Sequence, residues 1–265
     1  MTYEATILAE PSLVAFVPCY ETVGPNKDIV VGDNNTTTGS APTYGVVTTS
    51  LLGSFGTQLN SAGVMLWTNP LFGAPATDFS VEAWFNVAVP SSGALVYGDL
   101  PGPANDFGLQ VTGNAQPRWS IGNPDGACII TGPSTYSDGQ WHHVVGTYQE
   151  VSGVANLYID GVFVGTATTP NPGGKNGSST FRAGMDNTTG WSGVICNLAI
   201  YNSALTLTQV QTHYNAGTVQ PPPPITLFGG FAPDQVFKPV MLVNVAGIKP
   251  RVYVPIQNNT VRTKQ

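Results

Sequence analysis

The sequence predicts an all-β protein, a sandwich or jelly roll of antiparallel strands. Its 265 residues include 31 glycines and 22 prolines, which indicates many turns. Hydrophobic residues make up 42% of the chain and charged residues only 9%, so the surface is polar through Thr, Ser, Asn, Gln and Gly rather than through ions. Between the turns, short runs alternate between apolar and polar residues, as half-buried strands do.

The first clear strand is FSVEAWFNVAV, residues 79–89. Alternation places Phe79 and Phe85 on one face and Glu82 on the other, which predicts a half-buried strand. Further strands are predicted in ALVYG, FGLQV, RWSIG, ACIIT, WHHVVGTY, ANLYIDGVFVGTAT, STFRAG and GVICNLAIYN. Within them, Asp160-Gly161 stands between two alternating runs, the signal of a two-residue hairpin turn.

One helix is predicted near residue 207. Thr206 and Gln209 have the spacing of a capping box, and Gly217 marks the end. The apolar stripe expected to dock on the sandwich consists of Leu207, Val210 and Tyr214. His213 lies off that stripe and is expected in solvent.

The chain divides into three predicted parts: a sandwich at 1–217, a proline-rich linker at 218–224 and an extended basic arm at 225–265. Residues 1–220 carry 14 acidic and four basic side chains, a net charge of −10. Residues 221–265 carry one acidic and five basic side chains, a net charge of +4. We interpret the arm as a segment that binds an acidic surface of a second copy or of another protein; the alternative is a feature that aids solubility. The residues expected to make these contacts are Phe237, Lys238, Lys249, Arg251, Tyr253, Arg262 and Lys264.

Two of the three histidines, His142 and His143, are adjacent in a predicted strand. Neighbouring residues of a strand point to opposite faces, so these imidazoles are not expected to bind one metal ion. We predict a hydrogen-bonded structural role for them.

The three cysteines, Cys19, Cys128 and Cys196, have no metal-ligand spacing and stand in apolar, strand-like segments. They are predicted to be buried free thiols, which indicates synthesis in a reducing cytosol.

The start of the sequence lacks the pattern of a signal peptide, and no run of about 20 apolar residues predicts a membrane span. A net charge of −6 makes nucleic acid an unexpected partner.

Four segments, FSVEAW, DGQWHHVVGTY, NLYIDGVFVG and GWSGVICNLAIYNSALTLTQVQTHYNAG, resemble in order and spacing the laminin G-like/concanavalin A-like domain. The resemblance covers about residues 75–217 and implies a jelly roll of two antiparallel sheets. Residues 3–21 resemble the opening strand of versions found in bacteriophage virion proteins. Many members have Asp-Glu after GVI, where this chain has Cys196 and Asn197. The fold serves lectins, glycosidases, adhesion modules and capsid parts, so it leaves function open.

Catalysis is not expected. Glucanases of this fold carry two glutamates with an aspartate between them on one strand, and this chain has no such motif. Glu82 stands alone in its segment, and no nucleophile elbow, phosphate-binding loop or dinucleotide fingerprint is present.

Two kinds of binding residue are predicted from the resemblance. Related domains hold Ca²⁺ in rim loops, for which the candidates are Asp99, Asn105, Asp106, Asp186 and Asn187; ordinary Asx turns are the alternative. Stacking on a sugar needs an exposed aromatic ring, for which the candidates are Trp67, Trp119 and Trp191; a place in the core is the alternative.

Our first functional hypothesis is a non-enzymatic bacteriophage virion protein, a capsid decoration or minor capsid protein. Made in the host bacterial cytoplasm, it would bind the major capsid protein or other virion proteins through its arm. A homo-oligomer is expected, a trimer by analogy with decoration proteins. The alternative is a glycan-binding module of a tail or fibre that recognises host-surface sugars, with or without Ca²⁺. An accessory domain of a secreted hydrolase is the third hypothesis.

Overall fold

Fifteen strands and two helices form the described part of the chain. The computed structural model describes residues 2–47, 55–71, 77–98, 107–122, 128–133, 136–170, 172, 179–184 and 190–218. The elements in chain order are α1 (Tyr3–Leu8), β1 (Leu13–Val17), β2 (Thr36–Gly39), β3 (Thr43–Val47), β4 (Phe55–Leu59), β5 (Gly63–Thr68), β6 (Phe79–Asn86), β7 (Gly93–Gly98), β8 (Phe107–Val111), β9 (Pro117–Ile121), β10 (Cys128–Thr131), β11 (Trp141–Tyr148), β12 (Val154–Ile159), β13 (Val162–Thr168), β14 (Thr180–Ala183), β15 (Gly193–Tyr201) and α2 (Leu207–Thr218).

The strands form two antiparallel sheets, which confirms the predicted all-β, concanavalin A-like jelly roll. The eight-stranded sheet has the order β13-β12-β11-β6-β15-β4-β3, with β1 pairing on β15. The seven-stranded sheet has the order β10-β9-β8-β7-β14-β5-β2. At the centre of each sheet the paired strands are far apart in sequence, β6 beside β15 and β7 beside β14, because the chain crosses between the two layers several times, as in a jelly roll.

The core lies between the sheets and is built largely from aromatic rings. Phe79 of β6 packs against Phe107 and Trp119 of the opposite sheet, with ring centroids 5.2 and 6.1 Å apart. Trp67 stacks on Phe181 at 5.3 Å. Burial of such large rings provides much of the driving force that closes the sandwich.

The outer face of the eight-stranded sheet is covered by both helices; docking of α2 on the sandwich was expected, whereas α1 was not predicted. Strand β6 was expected to be half-buried, yet its residues are buried on both faces up to Asn86. The reason is that Tyr3 of α1 packs edge-on against Trp84, and Tyr214 of α2 stacks on the same indole ring. The start of the chain is therefore a short helix followed by strand β1, and the prediction of one opening strand was wrong over residues 3–8.

Local predictions about turns and caps are confirmed. Asp160 and Gly161 have positive φ angles of 50° and 74° between the paired strands β12 and β13. The Gln209 amide donates to the Thr206 hydroxyl at 3.3 Å, and the Gln209 side chain accepts from the Thr206 amide at 3.0 Å. This is the reciprocal capping box of the predicted helix.

Only two of the three residues that were predicted to dock α2 on the sandwich are withdrawn from solvent. Val210 is buried and Tyr214 is half-buried, whereas Leu207 is 42% exposed, so the assignment of Leu207 to the docking stripe was wrong.

All three cysteines are free and buried, as predicted. In the described part of the chain, neither helix is both long and apolar enough to cross a membrane.

The linker and arm predicted at 218–224 and 225–265 lie outside the described residues apart from Thr218, the last residue of α2. The same holds for the expected partner-binding residues Phe237, Lys238, Lys249, Arg251, Tyr253, Arg262 and Lys264. The domain boundaries and the role of the arm stay predictions.

Candidate functional site

A buried carboxylate lies beneath the two helices. Strand β6 places Glu82 on the helix-covered face of the eight-stranded sheet, where the side chain has no exposed surface. One carboxylate oxygen accepts hydrogen bonds from the Tyr3 hydroxyl and, at 2.7 Å, from His143 Nε2. The other accepts from the Tyr201 hydroxyl at 2.8 Å and from His213 Nδ1 at 2.9 Å. We call these five residues the Glu82 cluster.

Five elements contribute one residue each to the Glu82 cluster. Strands β11 and β15 flank β6 and carry His143 and Tyr201, while α1 and α2 carry Tyr3 and His213. His213 Nε2 also lies 3.1 Å from Glu10, which follows α1. The cluster therefore joins both helices to the centre of the sheet.

The electrostatics of the Glu82 cluster favour the charged forms. Burial alone would raise the pKa of Glu82, but the nearby imidazoles of His213 and His143 lower it well below its ordinary value. Burial alone would lower the pKa of His213, but the charge and hydrogen bond of Glu82, together with Glu10, raise it from 6.5 to about 9. At neutral pH, Glu82 is thus an anion paired with a protonated His213.

One sequence prediction fails at this cluster. His213 was predicted to lie in solvent, but its side chain is fully buried and bonded to Glu82. The residues are 131 positions apart in the chain, and no local pattern connects them. Because all of the cluster is enclosed under the helices, its role is to fasten the helices rather than to meet a substrate.

His142 lies on the opposite face of strand β11 from His143, as predicted. Its Nδ1 is 2.8 Å from an Asp160 oxygen, and its Nε2 is 3.1 Å from an Asp138 oxygen. The two histidines therefore bind different carboxylates, and the predicted hydrogen-bonded structural role is confirmed for both.

An open cleft of about 470 Å³ lies at the end of strand β6. Its walls come from the turn between β4 and β5, the loop after β6 and the start of β15. The lining residues are Gln58, Ser61, Asn86, Val87, Ala88, Val89, Pro90, Ser91, Ser192, Gly193 and Val194. The described residues of this lining offer amide and hydroxyl groups beside small apolar side chains, and none of them is charged.

Hydrogen bonds hold the walls of the cleft in place. The Ser192 amide donates to the Ser91 hydroxyl at 2.9 Å, which joins the β6–β7 loop to β15. The Asn86 side chain donates to the carbonyl of Gly139 at 2.6 Å. Val89 is 71% exposed at the rim and presents an apolar surface beside the polar groups.

The tryptophans predicted to stack on sugars are core residues, and that prediction was wrong. Trp67 is 2% exposed, and Trp119 and Trp191 are fully buried. The indole N–H groups of Trp67 and Trp119 donate to the backbone carbonyls of Asn26 and Thr147 inside the sandwich. Rings enclosed in this way have no face available to a ligand.

The predicted calcium ligands Asp99, Asn105, Asp106, Asp186 and Asn187 lie outside the described residues. Among the residues that are described, no three His, Cys, Asp or Glu side chains come together in a way that could hold a metal ion. Calcium binding by the rim loops stays a prediction.

Solved structures with this architecture include sugar-binding domains. Domain 4 of AbnA, a GH43 extracellular arabinanase from Geobacillus stearothermophilus solved in complex with arabinotriose, matches with a TM-score of 0.61 and 19% identity, over 77% of this chain and 98% of that chain. The binding domain of botulinum neurotoxin DC, solved in complex with SialylT, matches with a TM-score of 0.59 and 15% identity, over 78% of this chain and 52% of that one.

A third match is botulinum neurotoxin type C, whose cell entry is dependent upon interaction with two ganglioside molecules. Its TM-score is 0.62 at 16% identity, over 82% of this chain and 53% of that chain. The present chain thus spans about half the length of these neurotoxin chains, and at such identities the likeness establishes the fold alone. No curated protein sequence matches the chain.

Family membership follows from the sequence profile. The model of the concanavalin A-like lectin/glucanases superfamily matches residues 59–211, from the last residue of β4 to the middle of α2. This match covers more than half of the chain and most of both sheets. The chain belongs to the concanavalin A-like lectin/glucanases superfamily.

Proposed function

We propose that this protein is a non-enzymatic, lectin-like module that binds a neutral glycan in the cleft at the end of β6. The observation that carries this proposal is the composition of the cleft: its described lining residues present amide and hydroxyl groups beside Val89 and Pro90, and none of them is charged. Sugars present hydroxyl groups around small apolar patches of C–H, so such a lining matches both features of the ligand.

The family and the structural neighbours support a glycan over other small ligands. Arabinotriose is bound by the arabinanase domain, 98% of which is covered by the match, and SialylT by the binding domain of neurotoxin DC. Cell entry of neurotoxin type C depends on interaction with two ganglioside molecules. Their low identities mean that the particular sugar does not transfer to this chain. We therefore infer from these neighbours only the class of ligand, a glycan.

The position of the carboxylates argues against hydrolysis in the cleft. Glycoside hydrolases place two carboxyl groups on either side of the scissile bond. Among the described lining residues there is no Asp or Glu, and Glu82, on the same strand as Asn86, is buried beneath the helices. A sugar held in the cleft would be bound and released without bond cleavage.

A glycan screen with a matched pair of variants tests the proposal. Val89→Arg places a long charged side chain at the rim of the cleft, and Val151→Arg makes the same change at a turn residue that is 93% exposed and outside the cleft. We expect the wild type and Val151→Arg to bind the same glycan class, and Val89→Arg to bind it at least about tenfold more weakly.

The screen is run with Ca²⁺ and with a chelator, which tests the predicted rim-loop calcium site at the same time. If no glycan binds under either condition, the lectin-like proposal is wrong. If binding is equal in all three proteins, the sugar lies elsewhere on the molecule.

A second candidate function is attachment to a bacteriophage virion through the basic end of the chain. The sandwich segment carries −10 and the following 45 residues carry +4, so the end of the chain is suited to an acidic protein surface. We propose that this arm binds the major capsid protein or another virion protein and that the sandwich is displayed outward. The two functions are compatible, since a decoration protein can also bind sugars.

Replacement of the arm's five cations by Gln in the full chain tests this attachment. These cations are Lys238, Lys249, Arg251, Arg262 and Lys264. We expect the wild type to sediment with phage particles and the variant to stay in the supernatant; equal sedimentation would exclude the charged arm as the anchor. Light scattering of both proteins measures the predicted homo-oligomer directly.

A further inference from the structure

We propose that His142, Asp138 and Asp160 form a pH-sensitive latch that holds one wall of the cleft, and that deprotonation of His142 loosens this wall. The importance of the latch for binding rests on the proposed glycan function of the cleft. Its existence rests on the geometry around His142 and is tested separately.

The imidazole of His142 faces a carboxylate at each ring nitrogen. Nδ1 is 2.8 Å from Asp160 Oδ2, and Nε2 is 3.1 Å from Asp138 Oδ1. A carboxylate can only accept a hydrogen bond, and a neutral imidazole has only one N–H to donate. Both bonds are therefore present together only when the ring is a protonated imidazolium.

The segment 138–140 connects this imidazole to the cleft. Asp138 accepts a hydrogen bond from the Gln140 amide at 2.8 Å, which closes the turn. Within that turn, the Gly139 amide donates to the carbonyl of Val87 at 3.1 Å, and the Gly139 carbonyl accepts from the Asn86 side chain at 2.6 Å. Asn86 and Val87 both line the cleft, so the turn fastened by His142 also supports the cleft wall.

In the described part of the chain, the groups that surround His142 are consistent with a charged ring. The preceding turn contributes Asp138 and the Tyr136 ring, which meets the imidazole edge-on at 4.7 Å. The β12–β13 turn contributes Asp160, and β6 contributes the uncharged ring of Phe85 at 5.8 Å. Burial alone would lower the pKa of His142, but the hydrogen bonds and charges of Asp160 and then Asp138 raise it above 6.5.

The direction of the pH effect follows from this. His142 is protonated below pH 6.5 and loses its proton as the pH rises through its raised pKa. The shorter bond to Asp160 keeps the remaining N–H at Nδ1, and the lone pair of Nε2 then faces the charged Asp138. Because the Asp138 side chain is 53% exposed, its turn can move away into solvent. We expect the cleft wall to be firm in mildly acidic solution and looser in alkaline solution.

The test uses NMR of the full chain without any ligand, in a titration from pH 5.5 to pH 9.5. The ring signals of His142 are expected to titrate with a midpoint above 6.5, and the amide signals of Gly139 and Val87 are expected to follow the same midpoint. Above the midpoint, amide exchange at Gly139, corrected for its intrinsic pH dependence, is expected to increase on the order of fivefold, as for loss of one hydrogen bond.

Two variants complete the test. His142→Gln retains one donor but does not titrate, so the signals of Gly139 and Val87 are expected to lose their pH dependence. Asp138→Asn is an exposed change that removes only the charge facing Nε2, and it is expected to lower the midpoint of His142. The latch is overturned if His142 does not titrate in this range, if Gly139 and Val87 do not follow it, or if His142→Gln leaves their titration unchanged. A negative glycan screen alone would overturn the lectin-like function and leave these outcomes intact.

Discussion

Replacement of Glu82 by Gln is the most direct test of how the helices are held on the sheet. The substitution keeps the size and shape of the side chain and removes its charge. The Glu82 carboxylate accepts four hydrogen bonds. In Gln, one of the two oxygens is replaced by an NH₂ group, which cannot accept a hydrogen bond from the donors that face it. His213 also loses one of its two carboxylate partners and keeps only Glu10.

The size of the effect can be worked out from the structure in two ways. Removal of one partner from a buried ion pair costs about 3–5 kcal/mol. A rise in the pKa of His213 from 6.5 to about 9, caused by Glu82 more than by Glu10, corresponds to roughly 3 kcal/mol of interaction with the two carboxylates together, most of which this substitution removes. Both considerations place the loss in free energy of unfolding near 3 kcal/mol, or a fall in Tm of roughly 10 °C for a domain of this size.

The assay is differential scanning calorimetry at pH 6, where Glu82 and His213 are both charged. The matched control is Glu4→Gln, which removes a carboxylate from an exposed position in the first turn of α1 and is expected to cost no more than about 1 kcal/mol. If Glu82→Gln melts within about 2 °C of Glu4→Gln, the cluster does not fasten the helices and the reasoning is refuted.

Four further outcomes follow from the structure. The stabilisation that His213 contributes is complete below pH 6.5 and is lost as the pH rises through about 9. The free energy of unfolding of the wild type, measured by urea denaturation, should therefore decrease over that interval, and that of Glu82→Gln should change much less. Gly146→Ala puts a methyl group against the Trp119 ring, whereas Gly113→Ala meets nothing within 4 Å; the first should lose about 1–3 kcal/mol in urea melts and the second almost nothing. Thr206→Ala removes the helix cap and should cost about 1 kcal/mol in the same melts, against little change for its exposed neighbour Thr208→Ala. The three buried thiols should react with a thiol reagent only after denaturation, and rapid labelling of the native protein would contradict their burial.

The sequence predicts most of the sandwich because its signals are local. Alternation in residues 79–89 identifies strand β6, Asp160-Gly161 identifies the hairpin, and the spacing of Thr206 and Gln209 identifies the start of α2. Each of these patterns depends on residues a few positions apart, and the backbone conformation that they favour survives in the folded chain. The resemblance to the concanavalin A-like domain then supplies the arrangement of strands in two sheets.

The buried cluster could not be predicted in the same way, because its partners come from distant parts of the chain. Glu82 is 79 residues from Tyr3, 61 from His143 and 131 from His213. Alternation correctly separated Glu82 from the core-facing residues, yet it could not show that helices cover the opposite face. The same limit explains the wrong prediction for the three tryptophans, because the sequence pattern around a tryptophan in a strand is the same whether its ring faces the core or a ligand.

The middle and the end of strand β6 differ in how firmly their side chains are held. In its middle, Glu82 joins five elements through bonds without exposure to solvent. At its end, Asn86 lines the cleft and donates a hydrogen bond to Gly139. The turn that contains Gly139 is held by Asp138, whose carboxylate is half exposed. A charge buried in the centre is costly to separate from its partners, while a charge at the surface is partly replaced by water. The Glu82 cluster should therefore hold its geometry when conditions change, and any response of the cleft to pH should arise at His142.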